Sequence, residues 1–537
     1  MDRNTEWEFG NIPTIDTKRS TFEMVFNHKT TGNAGDLIPI YVDQDVLPGD
    51  THKLRVAGII RMSTPQTPVM DVCWADIYFF AVPHRILWEH WKEFNGENKN
   101  GSWTQTTEYT IPQFKTDNIN QVKTHSILDY MGIPIDIPNI EFSQLPVRAY
   151  IKIYNDWFRD QNLVAPIKEY EDDATRTVDM TKPEFGGKCL KIFKKHDYFT
   201  SCLPEAQKGT AVKTPLGITA PIVGNGPIRI TGNNGDVYKL NTGNNTYYHI
   251  WNETQNHLGH SENDTDLKLV NNNSGLVADL TKATAATINA LRLSFATQNI
   301  LEKDARGGTR YNEVIKMHFG VTSPDGRMQR PEYIGGKRIP INIDQVVQNS
   351  STDTTSPQGY TGAYSLTSDV FEVGTKSFTE HSIIIGIIAI RQQHTYQQGL
   401  ARQWTRKRRL DYYWPSLAHL GEQPVLKKEI MATGTDKDDE VFGYQERWAE
   451  YKYKPNRISG EMRSTYSKPL DIWHYGDKYE NVPTLSQEFL EETDQYINRT
   501  IHVNSSIANQ FIMDIAVEDT AVRPMPVYSI PGLADHF

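Results

Sequence analysis

The sequence predicts a mainly β protein, one antiparallel sandwich that carries large insertions and several helices. Three observations lead there. Proline and glycine, 28 and 36 residues of the 537, are spread along the whole chain and break it into short segments. The β-branched and aromatic runs between those breaks are scattered from residue 36 to residue 517. The segments neither alternate strand with helix nor group into blocks of one type. That argues for a single two-layer core with long excursions over several tandem domains.

The strands can be taken in order. Residues 36–46 (DLIPIYVDQDV) alternate loosely and stop at Leu47-Pro48-Gly49-Asp50, a strong turn. Residues 69–82 (VMDVCWADIYFFAV) are β-branched and aromatic, and Pro83 ends them. Residues 380–391 (EHSIIIGIIAIR) read as a central strand buried on both faces, and 510–517 (QFIMDIAV) as another near the far end. Helices are expected at 88–94, at 150–161 with Ile153, Trp157 and Phe158 on one face, and at 279–306. In the last, Leu280, Ile288, Leu291 and Phe295 form a stripe expected to be core. Asp279 serves as its cap and Gly307-Gly308 as its stop.

Between Gly224 and Gly275 stand twelve Asn and seven Gly, with Tyr238, Tyr247, Tyr248 and Trp251 among them. Asn and Gly supply tight turns at little steric cost, so this stretch is expected to be a turn-rich β excursion projecting from the surface.

Lys plus Arg total 56 against 66 Asp plus Glu, a net charge of −10, so any nucleic-acid contact must be local. The odd cysteine count (Cys73, Cys189, Cys202) without a CxxC pair argues against a disulfide framework and for a reducing compartment. The N-terminal residues lack the charged and apolar regions of a signal peptide, and the apolar run 383–390 is too short to span a bilayer. The expectation is a protein made in cytoplasm, without membrane insertion.

Little resembles a catalytic site. His257 and His260 with Glu262, Asp264 and Asp266 lack regular zinc spacing, and the run Asp436, Asp438, Asp439, Glu440 lacks the register of an EF-hand. No P-loop, nucleophile elbow, HExxH or dinucleotide fingerprint occurs in the right context. Neither catalytic residues, nor a metal, nor a cofactor is assigned.

Two segments carry the stronger signals. In 441–464, Phe442, Tyr444, Trp448, Tyr451 and Tyr453 alternate with charged residues such as Arg447, a composition expected of a protein–protein contact surface. Arg402, Arg406, Lys407, Arg408 and Arg409 place five cations in eight residues ahead of Tyr412, Tyr413 and Trp414. They suit either a salt-bridge patch facing acidic loops or contact with single-strand phosphate.

The order of segments resembles the major capsid proteins of microviruses, the small icosahedral single-stranded DNA phages, in particular the gokushovirus branch. The likeness runs through Arg19-Ser-Thr-Phe22, His28-Lys-Thr-Thr31, Gly35-Asp-Leu-Ile-Pro39, Leu47-Pro-Gly-Asp-Thr51, Arg61-Met-Ser-Thr-Pro65 and Phe79-Phe-Ala-Val-Pro83, then Trp88, Trp91 and Gly96-Glu97. It resumes at Gly308-Thr-Arg-Tyr311, His318-Phe-Gly-Val-Thr-Ser-Pro-Asp325, Gln329-Arg-Pro-Glu-Tyr333, Asp411-Tyr-Tyr-Trp-Pro415 and His419-Leu-Gly-Glu-Gln423. It ends at Arg523-Pro-Met-Pro526 and Pro531-Gly-Leu533.

The resemblance implies one capsid domain over 1–537, an eight-stranded antiparallel jelly roll of the viral capsid type with large interstrand insertions. It implies copies associated as five-fold capsomers in a T=1 icosahedral shell around a circular single-stranded DNA genome. A scaffolding protein during assembly, a small basic DNA-packaging protein and a host-cell surface receptor are the partners it implies. Residues 224–275 fall where that branch has a variable receptor loop. The locations implied are the virion and, during assembly, the host cytoplasm. The alternative is a carbohydrate-binding or carbohydrate-active jelly-roll protein, because jelly rolls and ring-rich loops serve those functions too.

Overall fold

Eight long strands in a computed structural model of the chain form two four-stranded antiparallel sheets. The structure describes residues 18–97, 107–210, 288–306, 329–350 and 357–528, with short strands between 222 and 278, helical residues at 313 and 316–318, and residues 212, 354 and 355. The chain divides into two compact units, Met1–Ala206 with Ala305–Phe537, and Gln207–Asp304.

In the first unit the strands are β1 (Ser20–Gly32), β2 (Ile38–Val46), β3 (Thr51–Met62), β4 (Cys73–Pro83), β5 (Glu332–Pro340), β6 (Thr367–Ser377), β7 (Ser382–Gln392) and β8 (Phe511–Arg523). One sheet has the order β1-β8-β3-β6 and the other β5-β4-β7-β2. Alternation explains the first sheet. Phe511, Met513, Ile515 and Val517 of β8 are buried on the same side as Leu54, Val56, Ile60 and Met62 of β3. These residues share one core cluster with Ile38, Phe79 and Ile385 of the second sheet, so the two inner faces make a sandwich.

β7 is apolar on both faces because it has cover on both. A helix, α1 (Leu145–Ile153), packs against β7 and adds Val147, Tyr150 and Ile151 to the same core. Gly386 belongs here for want of room, since a Cβ at that position would lie 2.8 Å from the Phe79 ring. The helix expected at 150–161 thus starts earlier, and a π turn (Tyr154–Phe158) continues it. That turn brings Phe158 to 5.3 Å from Tyr78 and Trp157 to 5.4 Å from Phe80, ring centre to ring centre. The helix expected at 88–94 is a 3-10 turn at His84–Ile86 followed by one helical turn, Trp91–Phe94. All three cysteines are free and buried.

The second unit holds the three-stranded sheet Val237–Lys239, Arg229–Thr231, Lys268–Leu269, the pair Ile222–Gly224 and Leu276–Ala278, and a helix, α2 (Ile288–Arg306). Here the expectation of a core stripe needs correction. Phe295 is 65% exposed and Leu291 37% exposed. A period of 3.6 tells which residues share a helix face, not whether anything covers that face. Asp279 and Leu280 lie outside the described residues, and α2 begins nine residues later than its expected cap.

Buried charges tie the first unit together. Asp76 on β4 is 2% exposed and accepts from Arg338 on β5 (2.6 and 3.0 Å) and from Arg391 on β7 (2.8 Å). Burial alone would raise the Asp76 carboxyl, but the two guanidinium groups hold it below the usual carboxylate range. A second knot stands after β7, where His394 lies between Asp477 (2.9 Å) and Glu492 (3.0 Å), with all three side chains inaccessible. Burial opposes a charged imidazole there, yet the flanking carboxylates raise its pKa to about 10.

Two outcomes are expected. Asp76→Asn leaves two guanidinium groups without their anion and should cost about 3 kcal/mol in urea unfolding of the subunit; a loss below ~1 kcal/mol would show that the pairs are not structural. For His394, the folded pKa lies above the ordinary 6.5, so its contribution is full below pH 6.5 and fades as pH rises toward 10. The stability difference between the parent and His394→Gln should therefore shrink over that interval, measured by denaturant unfolding at stepped pH. A difference constant with pH would mean the imidazole is neutral in the fold.

Candidate assembly surface

The aromatic block and the basic run, separate in sequence, meet in the structure. Hairpin strands Glu422–Leu426 and Val441–Glu446 stand over a second core that includes Phe199, Val425, Ile430, Phe442 and Phe489. Phe442 is part of that core, 5.0 Å from Phe489 and edge-on to it. Trp448 is 6% exposed, and its indole N–H donates to the carbonyl of Leu417 (3.1 Å). Its φ of 70° is unusual for a bulky residue, and the ring's anchorage is what holds that backbone in place. Tyr453 stacks on Tyr198 at 5.4 Å, and Tyr444 exchanges both backbone hydrogen bonds with Leu203. Arg447 lies half-buried with its guanidinium 5.1 Å from the Trp448 ring.

The composition of this block therefore has two sources. Phe442 and Trp448 are packed within the subunit and are not available as an open contact face, contrary to the expectation for the whole block. Tyr451 stands out, 47% exposed, with its hydroxyl accepting from the Tyr413 N–H (3.1 Å). What the sequence alone missed is the exposed partner strip: Trp404 is 68% exposed, Leu410 63% and Tyr412 53%. Tyr413 packs edge-on to Trp448 (5.7 Å) and joins that strip to the hairpin. The signal available in sequence was the density of rings from 404 to 414, read there as an appendage of the cations.

The basic run divides as well. Arg402 donates to the Pro424 carbonyl (3.0 Å) and lies 3.6 Å from Glu429, while Arg406 pairs with Glu450 (3.4 Å) under the Tyr451 ring (4.3 Å). These two are intramolecular. Arg409 lies over Trp414 (4.5 Å), and Lys407, Arg408 and Arg409 are exposed and form no ion pair among the described residues. The Asp411 carboxylate accepts from the backbone N–H groups of Lys407 and Arg408, which hold it below the usual range and fix the turn that presents the cations. The surface is thus rings and uncompensated cations side by side.

The acidic run has local partners. Lys427 pairs with Glu440 and Lys428 with Asp439, and Asp438 accepts from Thr433 and Gly434. A different trio, Asp43, His52 and Asp519, brings three ligand atoms within 4.8 Å, and it is the metal-competent group found among the described residues. His52, however, already spans Asp519 (2.8 Å) and Asp50 (3.4 Å). Burial disfavours its charge, but those carboxylates and Asp43 raise its pKa. Of the receptor-loop residues, Tyr238 falls in the strand Val237–Lys239, and Tyr247, Tyr248 and Trp251 lie outside the described residues, as do His257 and His260. No helix among the described residues is long and apolar enough to cross a membrane.

Comparison with known proteins bears on all of this. A model of the capsid protein (F protein) family matches residues 10–533. Capsid protein VP1 of Bdellovibrio phage phiMH2K is 41% identical over 100% of this chain and 99% of its own. Capsid protein VP1 of Chlamydia phage 1 is 37% identical, covering 98% and 97%, and that of Spiroplasma virus 4 is 38% identical, covering 94% of each. The chain belongs to the phage capsid protein (F protein) family and is a structural component of a virion, not an enzyme.

Proposed function

We propose that this chain is a jelly-roll subunit whose copies close into a T=1 icosahedral shell around a circular single-stranded DNA genome. Strand order supports the jelly roll: β1, β8, β3 and β6 share one sheet and β2, β7, β4 and β5 the other, the pairing of two nested Greek keys. Apart from β4 and β5, which pair within one sheet, consecutive strands belong to different sheets and their connections cross the ends of the sandwich. The two longest connections, between β4 and β5 and between β7 and β8, carry the second unit and the 402–453 surface.

The observation that carries the assembly reading is the exposed strip Trp404, Leu410, Tyr412 and Tyr451 beside Lys407, Arg408 and Arg409. Rings and arginine of this density on an open surface are hot-spot chemistry, and a closed shell must bury several heterologous surfaces of every copy. The fitting occupant is a second copy, with five-fold capsomers as the intermediate and a scaffolding protein guiding closure in the host cytoplasm. The cations left without carboxylates supply a contact for genome phosphate, and a small basic packaging protein neutralises the remainder. The Asn/Gly-rich stretch 224–275 is the surface that meets the host receptor.

Trp404→Ala with Tyr412→Ala should leave subunit unfolding within about 0.5 kcal/mol of the parent. The concentration needed for assembly should rise about thirty-fold, the equivalent of about 2 kcal/mol. Sedimentation with electron microscopy reads the second quantity, and unchanged particle yield would remove the strip from the contact. Trp448→Ala, by contrast, should lower subunit stability itself. Deleting 224–275 should leave soluble particles that fail to attach to host cells; insoluble protein would show that the stretch is part of the fold. Replacing Lys407, Arg408 and Arg409 by Gln should lower the log–log salt slope of oligonucleotide binding by about 2. An unaltered slope would assign them to acidic loops of a neighbouring copy.

A further inference from the structure

One long edge of the first sheet is left open. β1 ends the order β1-β8-β3-β6, and β8 is its one strand neighbour among the described residues. Its 13 residues pair with β8 without a bulge, so its far side is an uninterrupted row of backbone N–H and C=O groups. At its end the Thr31 carbonyl accepts from the Tyr130 hydroxyl (3.0 Å), and no backbone hydrogen bond from a turn or loop covers the residues before it. Folded proteins blunt an edge of this length with proline, a bulge or central lysines. β1 has no proline and no bulge, and its middle is Met24, Val25 and Phe26, all exposed, Val25 by 66%. Such an edge is a hazard in a protein that works alone and a template for a further strand in one that works by association.

The side chains select the strand that fits. Even-numbered residues turn toward the sandwich, where Phe26 meets Tyr41 of β2 edge-on (5.7 Å) and the His28 imidazole lies 3.1 Å from the Ile40 carbonyl. Odd-numbered residues face outward, and Glu23 and Lys29 are the charges among them. Phe26 is the midpoint of β1, with Glu23 three places before it and Lys29 three places after. An antiparallel copy of the same strand, related by a two-fold axis through Phe26, sets each Glu23 opposite a Lys29, each Met24 opposite a His28, and the two Phe26 rings together. Glu23 forms no ion pair within the subunit among the described residues. Lys29 lies 3.3 Å from Asp514, and its ammonium has donors enough for both carboxylates. An axis through Val25 would set Glu23 opposite Asn27, and one through Met24 would set Lys29 opposite Arg19, so charge favours Phe26. Residues 16–19 (DTKR) lack the Asn-Gly or Gly-led turn with which the chain's own beginning would fold back on this edge.

We infer that β1 is a two-fold contact between copies, in which two β1 strands pair antiparallel about Phe26 and join two four-stranded sheets into one. This surface is separate from the strip at 404–412, and it deepens the reading that copies close into a shell. On the axis, identical residues come to about 4.5–5.5 Å between Cα atoms, within disulfide reach. Val25 and its mate are offset along the strands to about 8 Å, beyond that reach.

Full-length Phe26→Cys and Val25→Cys proteins are assembled, oxidised with copper phenanthroline and run on non-reducing gels; the three native thiols are buried and contribute little background. Phe26→Cys should run mostly as a covalent dimer and Val25→Cys as a monomer. Glu23→Lys should leave subunit unfolding unchanged and raise the concentration needed for assembly about tenfold, with a smaller rise at high salt. Intact particles that give no Phe26→Cys dimer, or as much dimer from Val25→Cys, would overturn the contact and leave the shell standing. Assembly of Glu23→Lys at the parent's concentration would overturn the register. Phe26→Cys dimers in a protein that forms no particles would keep the contact and overturn the shell, and the absence of both dimers and particles would overturn the two together.

Discussion

The last strand of the chain lies in the middle of the first sheet, and the rest of the molecule depends on that placement. β8 pairs with β1 from Ser20↔Arg523 to Gly32↔Phe511 and with β3 from Thr51↔Val522 to Met62↔Phe511. Nearly five hundred residues separate the partners, so the sandwich cannot close until the whole chain is present. The same junction is fixed by charge. His52 on β3 bonds Asp519 on β8, and Arg523 reaches back 3.1 Å to Asp50 in the turn before β3. With its ends locked together, the frame tolerates long excursions, because their cost rises only slowly with length.

The three buried ionic groups have a common geometry. Each joins segments far apart in sequence: Asp76 with Arg338 and Arg391, His394 with Asp477 and Glu492, His52 with Asp50 and Asp519. Hydrophobic residues of equal size would pack as well and demand no partner, so net stability does not explain them. Their strict need for a partner does. A one-residue slip of β5 against β4 that set Ile339 opposite Asp76 would take Arg338 from its carboxylate, so the knot favours the register in which the apolar faces also meet.

How much of this was legible follows from what each strand touches. β2, β4, β7 and β8 were readable because burial on one or both faces demanded β-branched and aromatic residues. β1 lies at the edge of its sheet with most of its residues exposed, including Val25 and Phe26, and β6 flanks the other edge with a polar outward row, so neither carries a clear apolar pattern. The ring-rich block was misjudged for a related reason. Phe442 and Trp448 serve a second core under the hairpin, and a loop that brings its own core shows the same composition as a contact surface. Only neighbours distant in sequence, Phe489 for one and Leu417 for the other, tell the two apart.

Electrostatics connects the fold to its work inside a virion. A chain of net charge −10 has no overall field that draws a polyanion, so any such attraction has to arise where cations are locally uncompensated. The structure sorts its cations accordingly. Arg338, Arg391, Arg402 and Arg406 have carboxylates and hold strands and loops in place, whereas Lys195, Lys454, Lys407, Arg408 and Arg409 reach the surface without one among the described residues. Rings lie beside the unpaired set in both places: Trp74 near Lys195, Trp414 under Arg409. Screening falls hardest on exposed charges separated by more than about 8–10 Å, and contacts made through close pairs of ring and cation retain their dispersion component in salt. The paired cations lie largely buried against their carboxylates and are screened least, so salt acts mainly on the exposed, unpaired set.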